Sequence, residues 1–275
     1  MTKTIRFVCR DHEVAADLRV PPNFSDAQKY PAIIIVHPGS SCKEQTAGIY
    51  GEKLAKNGFV TLAINASYQG ESGGEPRNIE DPASRMEDIR SAIDYLQVQP
   101  FVDAEKIGAV GVCAGGGYVI NVALTEKRLK AIGTCAAADV GSIYRGPDPA
   151  GTIALLENIA KQRTAEVKGA EPMIVPWHKN SDNKLRFVSM ANMMAFDALN
   201  FVDTLLSQPI QIIIGDKPGA FGSMNLGRKL FELATASKEK DLLVIEGACH
   251  YDLYDDPKTT DIASAKLSDF FHKHL

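Results

Sequence analysis

The run Gly111-Val112-Cys113-Ala114-Gly115-Gly116 carries the strongest chemical signal in this chain. A short apolar stretch from Lys106 to Val112 ends on Gly-x-Cys-x-Gly-Gly, and the residues after it turn helical. At such a strand-to-helix turn a nucleophile is held in a strained conformation with its side chain presented, and glycines flank it because the two backbones crowd together. Cys113 stands in the nucleophile's position. A cysteine at a helix start also feels the positive end of the helix dipole, which favours the thiolate over the thiol. Glycine-rich turns of this kind bind phosphates too, but the run is neither G-x-G-x-x-G nor a Walker sequence.

Thiolate attack on a carbonyl needs a base or proton shuttle, and a histidine just beyond a late strand can be held against the turn. His250, after Leu242-Leu243-Val244-Ile245-Glu246-Gly247-Ala248-Cys249, is that residue. The third member is a carboxylate that fixes the imidazole tautomer. Asp216, directly after Gln211 to Gly215, is the first choice and Asp139 the alternative, while a Cys-His dyad is also workable because a thiolate needs less help than a serine. The developing oxyanion needs two donors: the backbone N–H of Ala114, and one from Gly39 or Ser40 in the loop His37-Pro38-Gly39-Ser40. His37 reads as a brace for that loop. Arg85, Glu87, Asp88 and Arg90 read as i to i+3 and i to i+4 pairs at the start of a helix.

The elements that must position these groups alternate between strands and helices. Thr4 to Cys9 and Val14 to Val20 read as an opening hairpin. Ala32-Ile33-Ile34-Ile35-Val36 is a continuous β-branched run of the kind buried on both faces of a parallel sheet, and Phe59 to Ala66 follows after a helix over about 43–56. Asp81-Pro82 supplies an N-cap and a first-position proline for a helix striped with Ile89, Ile93 and Leu96. Further strands fall near 106–113, 131–138, 211–215 and 242–245, and Asp256-Pro257 opens a last helix. The pattern predicts one α/β domain with a doubly wound, mostly parallel sheet of about eight strands and helices on both faces. Residues 139–208 show no strand-like run but helical stretches near 152–167 and 189–206. They read as a helical cap insertion at about 140–207, over the strand ends where ligands bind in open α/β sheets.

With 275 residues and 45% hydrophobic content the chain can bury a large core. A net charge of -4 with scattered basic residues excludes a patch for nucleic acid or anionic lipid. The N-terminus lacks a signal-peptide core and no segment is apolar enough to span a bilayer, so the expectation is a cytoplasmic protein with no membrane partner. Cysteines 9, 42, 113, 135 and 249 form no CxxC pair and no Cys/His spacing typical of zinc, and their odd number argues against a disulfide framework.

On these motifs the chain resembles the α/β-hydrolase superfamily over nearly its whole length. Gly111 to Gly116 looks most like dienelactone hydrolase and its relatives, in which cysteine takes the serine position. His37-Pro38-Gly39, Tyr68 to Pro76 and Gly247 to Tyr254 resemble bacterial dienelactone hydrolase-related proteins. The resemblance implies a Cys-Asp-His triad without metal or organic cofactor, carried onto Cys113 and His250. The loop after Gly215 lacks that group's later aspartate, which leaves the acid open, and the long cap departs from compact dienelactone hydrolases. The expected activity is hydrolysis of a small-molecule carboxylic ester, lactone or thioester, with homo-oligomerisation left open. The rivals are a degenerate hydrolase that only binds its ligand, and a redox sensor in which Cys42 or Cys249 resolves oxidised Cys113.

Overall fold

The structure is a computed structural model that describes residues 2–177 and 183–275. In chain order β1 (Thr2–Cys9) and β2 (His12–Arg19) form a hairpin, followed by β3 (Tyr30–Val36), α1 (Thr46–Lys56), β4 (Val60–Ile64), α2 (Pro82–Gln97), β5 (Val102–Val112), α3 (Ala114–Thr125) and β6 (Leu129–Cys135). Then come α4 (Val140–Arg145), α5 (Pro149–Val167), β7 (Ile174–Pro176), β8 (Lys184–Arg186), α6 (Met190–Met194) and α7 (Val202–Leu205). The chain closes with β9 (Ile210–Gly215), α8 (Ser223–Leu233), β10 (Lys240–Ile245), α9 (Asp252–Asp255) and α10 (Pro257–His274).

Eight strands form one sheet in the order β1-β2-β4-β3-β5-β6-β9-β10. The β1/β2 and β2/β4 pairs are antiparallel, and every other neighbour is parallel. The β-branched run of β3 shows why the centre holds. Ala32, Ile34 and Val36 enter a core shared with Ile89 and Ile93 of α2 and Tyr118 of α3. Ile33 and Ile35 enter the opposite core, with Tyr50 and Leu54 of α1 and Phe271 of α10. Burying each isoleucine contributes roughly 1.5–3 kcal/mol, so an apolar residue at every position of a central parallel strand has a partner on one face or the other. Asp81 and Asp256 cap their helices by accepting from Ser84 N–H and Thr259 N–H, both at 2.8 Å, with a proline next in line.

The parallel strands end on one edge, and the loops after β3, β5, β6, β9 and β10 gather there. The stretch between β6 and β9 departs from the all-helical expectation, because β7 and β8 pair antiparallel within it. Three-residue strands leave too short a pattern for periodicity to register. Residues 178–182 of this stretch lie outside the described residues. Among the described residues no helix is long and apolar enough to cross a membrane.

Candidate active site

Cys113 sits at the tip between β5 and α3 with φ 54° and ψ −123°, a conformation that L residues rarely adopt. Its N–H donates to the Cys135 carbonyl at 3.0 Å, and its own carbonyl accepts from Gly116 and Ala138 at 2.9 Å each. A Cβ on Gly111 would lie 2.2 Å from the Gly115 carbonyl oxygen, which is why the turn takes glycine there. The thiol is 1% exposed. Burial pushes it up to about 11, against the opposing pull of the Tyr254 hydroxyl and of the Ala114 and Gly39 N–H groups. Burial thus works against the thiolate that a helix start favours, and it outweighs the three donors taken together.

The Gly39 and Ala114 N–H groups thus converge on the sulfur from two different loops. Ser40, at φ 50°, is committed elsewhere, since its N–H donates to Glu80 Oε2 at 2.9 Å. Glu80 is fully buried and also accepts from Gln69 Nε2 at 2.7 Å and Tyr118 Oη at 2.9 Å, with Arg85 Nε 3.6 Å away. Arg85 in turn donates through Nη2 to the His37 carbonyl at 2.6 Å. The His37 ring accepts from Ala66 N–H at 3.0 Å, and burial, with the Arg85 charge beside it, holds its pKa well below the usual histidine value. His37 is a brace, as its place in the loop predicted. Arg85 and Asp88 do not make the helix-surface pairs expected of them: both are buried, and of that group Glu87 and Arg90 pair at 3.5 Å. Intrahelical spacing is blind to the loop carbonyls and carboxylates that tertiary packing brings against α2. Above the loop lies Trp177, whose ring is so close that a Cβ on Gly39 would approach it to 2.2 Å.

His250 is 2% exposed in the loop between β10 and α9, and burial lowers its pKa to about 4. Its Nε2 meets the Tyr254 hydroxyl at 3.0 Å and its Nδ1 meets Ser223 Oγ at 2.8 Å. Among the described residues no carboxylate hydrogen-bonds either ring nitrogen. Asp216 accepts instead from Gly247 N–H at 2.7 Å. Asp139 caps α4, accepting from Gly141 at 3.1 Å and Ser142 at 3.2 Å, and also accepts from Ala198 N–H at 3.3 Å. The structure thus places the Ala114 and Gly39 N–H groups at Cys113 and joins His250 to it through Tyr254, and leaves Asp216, Asp139 and the Ser40 N–H with other partners.

Three groups of the site escape the sequence reading. Tyr254 reaches both Cys113 and His250. The i to i+4 spacing of His250 and Tyr254 was the available signal, since it puts both on one face of a single helical turn. Ser223 opens α8 after the β9 loop, the place from which a third member was expected, but it offers a hydroxyl rather than a carboxylate. Glu80 carries no local signal, because its partners come from three separate segments.

A family model described as PETase, PET hydrolase-like, matches residues 18–146. The uncharacterized protein YcjY of Escherichia coli is 38% identical over 293 residues, covering 95% of this chain and 94% of its own. The thiohydrolase aneE of Aspergillus aculeatus is 32% identical over 151 residues, 53% of this chain and 47% of that protein. The crystal structure of the alpha/beta hydrolase GrgF from Penicillium sp. superimposes with a TM-score of 0.84 at 20% identity, covering 100% of this chain and 99% of that one.

Proposed function

Because the chain belongs to the α/β-hydrolase superfamily, we propose that it hydrolyses carboxylic esters, lactones or thioesters through an acyl-enzyme on Cys113. The observation that carries this reading is the convergence of the Gly39 and Ala114 N–H groups on the sulfur of a residue strained at φ 54°. Two backbone donors beside the nucleophile, one from the loop after β3 and one from the start of α3, can turn to the carbonyl oxygen of an acyl group bonded to that sulfur, where acyl transfer develops its negative charge.

In this mechanism the Cys113 thiol gives its proton to the Tyr254 oxygen as the Tyr254 proton passes to His250 Nε2. Sulfur then bonds to the substrate carbonyl carbon, and the carbonyl oxygen takes up negative charge facing Gly39 and Ala114. Ser223 holds Nδ1, so the imidazolium keeps its orientation without a carboxylate. The leaving alkoxide or thiolate takes the proton back from the imidazolium through Tyr254, and water repeats the sequence to release the acid and restore the thiol. Activated acyl groups suit this nucleophile better than amides, because a thiolate is itself a good leaving group. The name of the thiohydrolase relative supports thioesters within that class. Residues 140–207 act as a cap that brings Trp177 over Gly39, and a reducing cytoplasm suits five free thiols.

Rapid mixing with p-nitrophenyl esters of short acids tests the proposal. A burst of p-nitrophenol stoichiometric with enzyme is expected, absent in Cys113→Ala, and equal turnover by the two proteins refutes it.

A further inference from the structure

A second group of chemically capable side chains lies away from this site, where the β1/β2 hairpin packs against α2. Cys9 and His12 are opposite residues at the hairpin end, joined by Arg10-Asp11 with Arg10 at φ 54°. Opposed residues of an antiparallel pair point to the same face, so thiol and imidazole turn inward together. Asp88, in α2, comes up against them. The donor atoms of Cys9, His12 and Asp88 all lie within 4.8 Å of one another, and Cys9 and Asp88 are buried.

Two further observations point to a cation. The carboxylate of Asp88 is fully buried, and although the Arg85 charge acts on it from a distance, no lysine or arginine among the described residues lies within ion-pair reach. It accepts from Cys9 Sγ at 3.4 Å, from Ser67 N–H at 2.8 Å and from Ser67 Oγ. Buried charges are ordinarily paired or coordinate a metal. His12, for its part, is held from outside: its Nδ1 meets the exposed Asp11 carboxylate at 3.0 Å, which aims Nε2 inward at Ser67 Oγ, 2.6 Å away. A carboxylate on the outer nitrogen of a histidine is the arrangement that orients metal-ligating imidazoles.

We propose that Cys9, His12 and Asp88 form a site for a zinc-class divalent ion, with the Ser67 hydroxyl or a water in the fourth position. One thiolate, one imidazole and one carboxylate suit such an ion in composition, and bond lengths of about 2.0–2.3 Å place tetrahedral ligands about 3.5 Å apart, a contraction of at most about 1.3 Å from the present spacing. On binding, the Cys9 S–H bond breaks and its proton leaves to solvent as the sulfur bonds to the metal. The Ser67 hydroxyl gives up its hydrogen bonds to His12 and Asp88. Thiolate and carboxylate together then balance the 2+ charge. The site would clamp the N-terminal hairpin to the loop after β4 and to α2, the helix that also carries Arg85.

Titration of the metal-stripped full-length protein with Co²⁺, followed by Zn²⁺ competition, tests this. One equivalent should bring up a near-ultraviolet thiolate-to-cobalt band that Zn²⁺ abolishes, that is missing in Cys9→Ala and that persists in Cys113→Ala. Cys9 lies in the core, so Asp11→Asn, at an exposed position, is the companion variant. It should weaken Co²⁺ binding about 10-fold, with His12→Ala weakening it more. The site is refuted by absence of the band in the parent protein, by its survival in a folded Cys9→Ala protein, or by unchanged affinity in both Asp11→Asn and His12→Ala.

Discussion

Replacing Tyr254 with phenylalanine removes one oxygen from the centre of the proposed proton path and leaves the ring. His250 Nε2 then loses the hydroxyl it meets at 3.0 Å, in a ring only 2% exposed to solvent. An unpartnered buried polar nitrogen costs about 1–3 kcal/mol of stability, to be read from urea unfolding. The thiol loses the first of the three donors that oppose its burial, so a group already near 11 ionises still less readily. General acid–base participation contributes about 10²–10⁴-fold, or roughly 3–5 kcal/mol of barrier, and the acylation rate should fall by a factor in that range. The assay is the pre-steady-state p-nitrophenol burst, with the rate of Cys113 alkylation by iodoacetamide as an independent readout of thiol reactivity. Both should fall together. A Tyr254→Phe protein that acylates within threefold of the parent would show that His250 reaches the sulfur directly and that the tyrosine is packing.

Asp216→Asn should leave the burst rate within about twofold of the parent, since Asp216 binds Gly247 and not His250; a hundredfold loss would return it to the proton path. Ser223→Ala should lower acylation by freeing the imidazole, and if it matches the parent the orienting role of Ser223 falls. Glu80→Gln keeps an acceptor for Ser40 but leaves the buried Arg85 without its carboxylate, so a stability loss of about 3–5 kcal/mol is expected in chemical denaturation. Stability should also depend on pH through His250. Its folded value of about 4 lies below the ordinary histidine value of 6.5, so the unfolded chain binds more protons between the two. This contribution is present above pH 6.5 and is lost as pH falls towards 4, by about 3 kcal/mol, with His37 acting in the same direction. Urea unfolding at pH 7 and pH 4, compared with His250→Gln, reads the difference; equal pH dependence in the two proteins would exclude a neutral buried His250.

What could be read from the amino-acid order alone was whatever depends on local pattern. The β-branched run of β3 announced a strand buried on both faces, Asp-Pro pairs announced two helix starts, and glycines around Cys113 announced a turn where backbones crowd. Each is a short-range rule, in which the side chain's own shape limits its backbone or its neighbours. The same order put His250 after a late strand, and so within reach of the turn. What only the tertiary structure decided was which groups those residues touch. A hydroxyl from α8 rather than a carboxylate after β9 meets His250, a tyrosine stands between it and Cys113, and burial pushes the thiol's pKa up against its hydrogen-bond donors. Arg85 and Asp88 tell the same story from the helix side, since spacing along α2 says nothing of a loop carbonyl or a hairpin cysteine brought there by folding. Apart from the His250–Tyr254 pair, four residues apart on one turn, these partners come from segments distant in sequence, and no spacing rule along one segment contains them.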